Sequence, residues 1–478
     1  MDKGPLQGDT VLYEVETLAP SHPPTTSQAN RSASPGLWAG EGKMSTTKQE
    51  NVKWVDGVRG FASLLVVFTH LCRSFDEDIF KPTSADGASP RIVQLPIIRI
   101  LFQGRVGVTI FSLVTGYVCA LKPIRQFRAG NHEAAFTSIS KSALRRIPRL
   151  FLPTTIATVI IWFICQLGAF NVAKHSDSWW IDHTSPNSSP NIGEALKQLL
   201  YHIITTWTNQ WNIYDANQWT MLPLLKGSIW IFMVMIATAY VKPRYRMMVE
   251  IAFFTYFYIC NDPFGMQFFY GAFLSDLSQC PGHVSWCQAR KWTSRFLAPV
   301  LIFLGLILAS YPEEEPQWTR WSEVMKRIAA WIFPGDAKTA RFYSGIGLQF
   351  VTLGIHFSPF VKNGLSNKYL LWFGKNSFAV YLLHGTLLRT VLVWLYYGVH
   401  VPADVMVEDK LERGMLPICG RARFWFWLPI WFVILYSLAN LWTKYVDAWC
   451  ARVTEKLVKY VFQEPNEDLD AEKRLLPQ

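Results

Sequence analysis

The chain has 478 residues, half of them hydrophobic, and a formal net charge of +11. Because apolar segments recur from residue 55 to about 446, the composition excludes a soluble protein of several domains joined by polar linkers. The basic residues lie largely between these segments and form no stripe interleaved with aromatic residues, which excludes a nucleic-acid partner. We predict an all-α fold, a polytopic bundle of transmembrane helices, since helices satisfy their own backbone polar groups in lipid.

The chain begins with a segment, residues 1–50, that is rich in Ser, Thr, Pro and Gly. This composition cannot bury a core and predicts a disordered cytosolic tail. It lacks the apolar stretch of a cleavable signal peptide, so we expect the first membrane helix to act as the insertion signal. The membrane domain is predicted over 51–446, followed by a cytosolic C-terminal tail over 447–478.

About ten membrane spans are predicted from the apolar segments, with boundaries good to a few residues. The segments are 55–73, 98–121, 150–170, 219–241, 246–261, 264–278, 296–310, 342–360, 369–397 and 424–446.

The loop at 122–149 sets the predicted orientation, because it carries seven Lys or Arg residues and one Glu. Positive loops face the cytosol, so both termini are predicted to be cytosolic in an endomembrane or the plasma membrane. The loop at 171–218 then faces the lumen or the exterior. It is rich in Trp, which favours an interfacial helix, and its sequon predicts glycosylation at Asn187, although Pro190 follows closely.

The first predicted span reads "DGVRGFASLLVVFTH" from Asp56 and carries two groups that are costly in lipid, Arg59 and His70. Eleven residues make three helical turns, so the two side chains share a face roughly 16 Å apart. Taken alone, the arginine could snorkel to the interface and the histidine could bond a neighbouring helix. Their shared face favours a cavity, and we predict both as catalytic residues.

A basic cluster, Arg145, Arg146 and Arg149, precedes the third predicted span. One interpretation is an ordinary topology signal. The other is a clamp at the cytoplasmic mouth that binds phosphates bidentately, as a coenzyme A donor would require.

Two further stretches combine packing residues with polar ones. In "GRVGVTIFSLVTGY" the glycines favour close helix packing, and Arg105 is a candidate for a secondary site. In "FGKNSFAVYLLHG" His384 is interpreted first as a packing histidine and otherwise as part of that site. No cysteine spacing is typical of a zinc site, although Cys280 and Cys287 share one loop and could pair or bind a metal.

Together these four stretches resemble the acyltransferase-3 family of integral membrane O-acyltransferases, from about residue 52 to 446. Thr115 stands where the family usually has serine. The matching residues are Asp56, Gly57, Arg59, Gly60 and His70 for D-G-x-R-G…H; Gly104, Gly107, Val108, Phe111 and Gly116 for G-x-x-G-V-x-x-F…G; Arg146 and Arg149 for R-x-x-R; and Gly374, Lys375, Ser377, Tyr381 and His384 for G-K-x-S…Y-L-x-H.

One stretch departs from the family's pattern. "WTMLPLLKGS" is similar to W-T-x-P-x-E-x-R-G-S, but Leu224 stands where glutamate is expected, Lys226 replaces arginine, and Pro223 is displaced by one position. If that carboxylate orients the histidine or the acceptor, the substitution alters specificity or impairs activity.

The resemblance implies transfer of an acyl group, with acetyl the expected group, from cytosolic acyl-CoA to a hydroxyl. His70 would act as general base, while Arg59 would orient its surroundings or stabilise an oxyanion. Arg146 and Arg149, with Arg145 as the weaker candidate, would bind donor phosphates. Asp56, Arg105, Lys226 and His384 form the predicted secondary site.

No permanently bound cofactor is expected. The expected partners are membrane lipids, acyl-CoA and a lipid, small-molecule or glycan acceptor. The alternative is a carrier of anionic small molecules or an inactive relative.

Overall fold

The structure is a computed structural model that describes residues 50–403, 405–407, 410–417 and 419–462. The predicted N-terminal tail lies outside the described residues except for Glu50, where the first helix begins, and so do residues 463–478.

The described residues fold into α-helices with one small hairpin. The hairpin pairs β1 (Val405–Val407) with β2 (Lys410–Glu412) in antiparallel register. The helices are α1 (Glu50–Phe75), α2 (Gly104–Arg128), α3 (His132–Gln166), α4 (Asn171–Lys174), α5 (Trp179–Thr184), α6 (Ile192–Thr208), α7 (Met221–Ala237), α8 (Pro243–Ile259), α9 (Pro263–Ser278), α10 (Pro281–Ala289), α11 (Ala298–Ala309), α12 (Arg320–Ile332), α13 (Thr339–Phe357), α14 (Pro359–Leu365), α15 (Lys368–Leu387), α16 (Val393–Tyr397), α17 (Arg421–Trp442) and α18 (Ala448–Val461).

The prediction of a multi-pass helical membrane protein is confirmed. Each of the ten predicted segments lies mainly in α-helix. Within the described residues, six helical stretches are long and apolar enough to cross a membrane, or seven if α13 and α14, which bend by 107°, count as one span. The count of ten is not confirmed, because α8, α9 and α11 have only 17, 16 and 12 residues.

Several predicted boundaries need correction. The second segment was predicted from residue 98, but Ile98–Phe102 is a 3₁₀ turn and α2 begins at Gly104. Arg99 explains the break, because its buried guanidinium donates to the backbone carbonyls of Ile79 and Phe80. The third helix begins at His132 and includes two prolines, and the last helical stretch continues past residue 446 to Val461.

The central helix α1 packs between α2 and α15 through backbone contacts. A Cβ atom on Gly374 of α15 would overlap the carbonyl oxygen of Asp56 in α1, and one on Gly116 of α2 would overlap that of Phe268 in α9. Such contacts bring helix axes closer than side chains allow. The glycines of the predicted family motifs therefore set how closely the helices of the bundle approach one another.

A buried ionic cluster joins α2, α8 and α9. Asp276 has no exposed surface and accepts hydrogen bonds from Arg246, at 2.6 Å for Nε, and from Nε of Arg128 at 3.1 Å. Two guanidinium partners compensate the desolvation of this carboxylate. The cluster fixes the packing of three helices at the end of the bundle opposite His70.

Candidate active site

A cavity of about 720 Å³ opens at one end of the bundle. It lies between the C-terminal end of α1 and the N-terminal ends of α2, α9 and α13, and the loop after α11 covers one side. This volume is in the range that holds small organic ligands. Its walls combine apolar and aromatic side chains with charged ones, among them Val66, His70, Arg73, Arg105, Val108, Trp219, Phe264, Tyr311, Glu313, Arg341 and Tyr381.

His70 lines this cavity and faces a second histidine. Its ring centre lies 5.1 Å from that of His384 and 5.2 Å from that of Trp180. His384 is fully buried, and its Nδ1 lies 2.9 Å from the carbonyl oxygen of Val380. A carbonyl only accepts, so Nδ1 carries the proton and Nε2 is left as a lone-pair acceptor in the neutral ring. Among the described residues, neither His384 Nε2 nor His70 Nδ1 has a hydrogen-bond partner.

A network of hydroxyl groups holds Tyr381 beside this histidine pair. The Tyr381 hydroxyl donates to the carbonyl of Asn217 at 2.5 Å and lies 2.7 Å from the hydroxyl of Thr220, which can donate to it. The Tyr381 ring centre is 5.9 Å from that of His384. Thr220 and Tyr381, which belong to separate sequence stretches, therefore meet beside the histidine pair.

A buried arginine fastens the predicted exterior loop over the site. Arg389 donates to the backbone carbonyls of Thr184, of Tyr214 at 2.8 Å and of Gly385 at 3.1 Å. These bonds join the loop at 171–218 to α15. Asp215 is buried in the same region, and this burial raises the pKa of its carboxyl to about 6.

Two arginines of the cavity share one carboxylate. Arg73 contacts both oxygens of Glu313 at 2.8 Å, and Arg105 lies 3.5 Å from one of them. Arg105 also donates to Ser344 at 2.9 Å and to the carbonyl of Tyr311. Burial raises the pKa of the Tyr311 hydroxyl to about 12, so it stays protonated at neutral pH. The structure thus places Arg105 of the predicted secondary site in the His70 cavity.

Arg59 and Asp56 lie elsewhere. Arg59 is 9% exposed and pairs with Asp56 at 3.3 Å and with the Ser377 hydroxyl at 3.5 Å. Neither residue lines the His70 cavity, which agrees with the three helical turns between Arg59 and His70. The geometry places Arg59 between α1 and α15, and its catalytic role stays a prediction.

The basic cluster of α3 divides between two neighbouring helices. Arg145 and Arg149 both contact Glu455 of α18, at 2.8 and 3.1 Å. Arg146 instead donates to Ser228 of α7 at 2.9 Å. A second contact, 3.4 Å long, links Arg146 to Thr115 of α2. The three guanidinium groups therefore do not converge on one point: Arg146 reaches the middle of α2 and α7, whereas Arg145 and Arg149 bond to α18.

The remaining predicted residues do not line the cavity. Lys226 and Asn187 are exposed. Leu224, at the position of the expected glutamate, packs against the apolar cluster that contains Met221 and Tyr381. Cys280 and Cys287 are free thiols. Within the described residues no group of three or more His, Cys, Asp or Glu side chains is placed to hold a metal ion.

Sequence reasoning missed several side chains of the site, chiefly Trp180, Arg341 and Arg389. A signal existed for Arg389, because an arginine inside an apolar segment marks a candidate functional position. Trp180 and Arg341 lie in or beside loops, and no local pattern connects either of them to His70.

The chain matches the Acyl_transf_3 family, described as an acyltransferase domain, over residues 52–446. It is 28% identical over 441 residues to O-acetyltransferase PaAT-1 of Phomopsis amygdali, which covers 85% of this chain and 84% of that protein. Acyltransferase R4 of a Phoma species and acyltransferase clz18 of Cochliobolus lunatus are each 21% identical, over 69% of this chain and 81% of their own length. No solved structure matches the chain. Since the family match covers most of the sequence, the protein belongs to the acyltransferase-3 family of membrane acyltransferases.

Proposed function

We propose that the protein moves an acyl group from cytosolic acyl-CoA to a hydroxyl of an acceptor bound in the cavity. The family match and the named fungal acyltransferases support acyl transfer as the reaction. The name of the Phomopsis relative supports acetyl as the group. The observation that carries the proposal is the pair of His70 and His384, whose rings lie 5.1 Å apart at the cavity with one unpaired nitrogen each.

His70 is the general base in this proposal, because it lines the cavity and imidazole exchanges protons near neutral pH. It takes the proton from the acceptor hydroxyl as the oxygen attacks the thioester carbonyl. The carbon–sulfur bond breaks, and the proton passes to the coenzyme A thiolate, so the products are an ester and the free thiol. In this proposal His384, whose ring centre lies 5.1 Å from that of His70 and whose Nε2 is unpaired among the described residues, shares the proton.

The donor phosphates bind at Arg146 and Arg149 in this proposal, with Arg145 beside them. Arg146 already contacts Thr115, which lies on α2 six residues beyond Thr109 of the cavity wall. Six helical residues rise about 9 Å. The thioester therefore has a short path along α2 from the basic cluster to the cavity.

The proposed topology has ten spans and cytosolic termini, in an endomembrane or the plasma membrane. The positive segment at 122–149, which the structure shows as the end of α2 and the first half of α3, supports this orientation. The helix ends that line the cavity lie on the side opposite this cytosolic segment. In the proposed topology the cavity therefore opens to the lumen or the exterior. The acceptor is a lipid, a secondary metabolite or a saccharide that enters from that side.

The test is acyl transfer by the purified full-length chain in a neutral detergent. Labelled acetyl-CoA is supplied with an extract of the source cells, and transfer and thioester hydrolysis are measured together. We expect His70→Ala to abolish transfer and to retain acetyl-CoA binding. His183→Ala is the matched control, because that side chain is 55% exposed and lies outside the cavity.

A folded His70→Ala protein with full transfer activity would remove His70 from the mechanism. Loss of transfer with retained movement of an anionic solute across vesicles would favour a carrier. Comparison of metabolites between deletion and wild-type cells then identifies the acceptor.

A further inference from the structure

The cavity has a cationic mouth. Of the residues that the structure describes, five basic side chains and a single carboxylate, Glu313, line the cavity, which leaves an excess of four positive charges. The basic residues are Arg73, Arg105, Lys326, Lys338 and Arg341. A cleft lined by one sign of charge raises the local concentration of ligands of the opposite sign.

Glu313 does not neutralise this mouth, because Arg73 and Arg105 already engage it. Among the described residues, the other three basic side chains of the mouth have no ion-pair partner: Lys326, Lys338 and Arg341. Their positive charges are therefore available to a ligand.

Arg341 is the best placed of the three to bind an anion. Its guanidinium carbon lies 5.3 Å from the centre of the Trp219 ring and 6.0 Å from that of Phe264. Aromatic stacking fixes the plane of the guanidinium and leaves its N–H groups for a carboxylate or phosphate. Arg341 also lies in the first turn of α13, whose Thr339 lines the cavity. The helix dipole makes this end positive as well, so a cation here is unfavourable until an anion binds.

The deeper part of the cavity has a different character. Val66 and Val108 lie about one helical turn further into the bundle than His70 and Arg105, and together with the Tyr381 ring they give this part apolar and aromatic walls. A ligand that fills the whole cavity has an apolar body with an anionic group at one end.

We propose that the acceptor is an amphipathic anion, which places a carboxylate or phosphate at Arg341 and its hydroxyl at His70. This inference rests on the proposed function for the identity of the occupant. The same anion chemistry has a second source, the phosphates of the coenzyme A donor, and the experiment separates the two.

The probe is 6-hydroxy-2-naphthoate, and its control ligand is the neutral amide of the same shape, 6-hydroxy-2-naphthamide. Binding to the full-length protein in neutral detergent is measured by calorimetry, at low and high salt. We expect the carboxylate to bind at least about tenfold more tightly than the amide, and Arg341→Gln to remove that difference. Arg341→Lys should retain part of it. The matched control is Arg327→Gln, because Arg327 is exposed on α12, pairs with Glu323 and does not line the cavity.

Binding of free coenzyme A is measured on the same proteins. If Arg341→Gln weakens coenzyme A binding as much as probe binding, the mouth binds the donor and the acceptor assignment is overturned. Equal binding of carboxylate and amide by the wild-type protein, or unchanged binding by a folded Arg341→Gln protein, overturns the anion site itself. Because these readouts need no turnover, a failure of acyl transfer with retained, Arg341-dependent probe binding refutes the proposed function and leaves the anion site standing.

Discussion

Replacement of His384 separates a packing role from a role in proton transfer. The Nδ1 of this buried ring bonds the Val380 carbonyl, whereas its Nε2 has no partner among the described residues and the ring centre lies 5.1 Å from that of His70. In His384→Asn the amide nitrogen takes the place of Nδ1, so the bond to Val380 is kept and Nε2 is removed. His384→Gln places an amide near Nε2 and gives up the Nδ1 bond.

The two roles predict effects of different size. Loss of the Val380 bond costs about 1 kcal/mol of stability, the usual net contribution of one hydrogen bond. Loss of a group that shares the transferred proton lowers kcat by about 10²- to 10⁴-fold. This corresponds to roughly 3–5 kcal/mol of the activation barrier. If His384 Nε2 shares the proton, His384→Asn is therefore a stable protein with very low activity.

The assay measures kcat, the donor KM and thermal unfolding for both variants. We expect His384→Asn to lose kcat and to keep the donor KM, because the proposed phosphate-binding residues Arg146 and Arg149 bond to α7 and α18 and do not line the His70 cavity. The proton-sharing role is refuted if His384→Asn keeps more than about a third of wild-type kcat while His384→Gln unfolds at a lower temperature than the wild type. The residue then acts in packing.

Replacing Arg146 and Arg149 by glutamine should weaken acyl-CoA binding, measured by calorimetry, by at most about 3 kcal/mol and leave acceptor affinity unchanged. If donor binding is unaltered, the two arginines serve only as a topology signal. Asp276→Ala should destabilise the protein by about 3–5 kcal/mol in thermal or denaturant unfolding, because the buried Arg246 and the partly buried Arg128 both lose the carboxylate that they bond. A cysteine introduced at the exposed position Ser188 should react with an impermeant reagent on intact cells, and one at the exposed position Ala129 should not. Labelling at Ala129 alone would show that the topology is the reverse of the proposed one.

The helices were predictable because an apolar run long enough to span lipid has few other stable conformations. Their ends were less predictable, since polar side chains decide them through distant contacts. Arg99 ends the apolar segment before α2 by bonding carbonyls some twenty residues away. Pro148 and Pro153 sit inside α3 and do not end it.

The candidate site was predictable only where one helix carries the whole signal. His70 follows from its place in α1, and its surroundings do not. His384 lies 314 residues further along the chain and meets His70 because Gly374 lets α15 approach the backbone of α1. Before that contact was known, a histidine in an apolar segment was best interpreted as a packing residue.

The basic cluster shows how helical spacing divides residues that a linear motif groups together. Arg146 and Arg149 form the motif, yet the residues that share Glu455 are Arg145 and Arg149, four positions apart. Side chains at i and i+4 lie one above the other on a helix, whereas Arg146 points to a different neighbour, Ser228 of α7. For a donor phosphate to engage both motif arginines, Arg149 must exchange Glu455 for the ligand. Glu455 then competes with the donor for Arg149, so Glu455→Gln should tighten binding of acyl-CoA. If the contact between α3 and α18 is purely structural, the same substitution should leave acyl-CoA binding unchanged or weaken it.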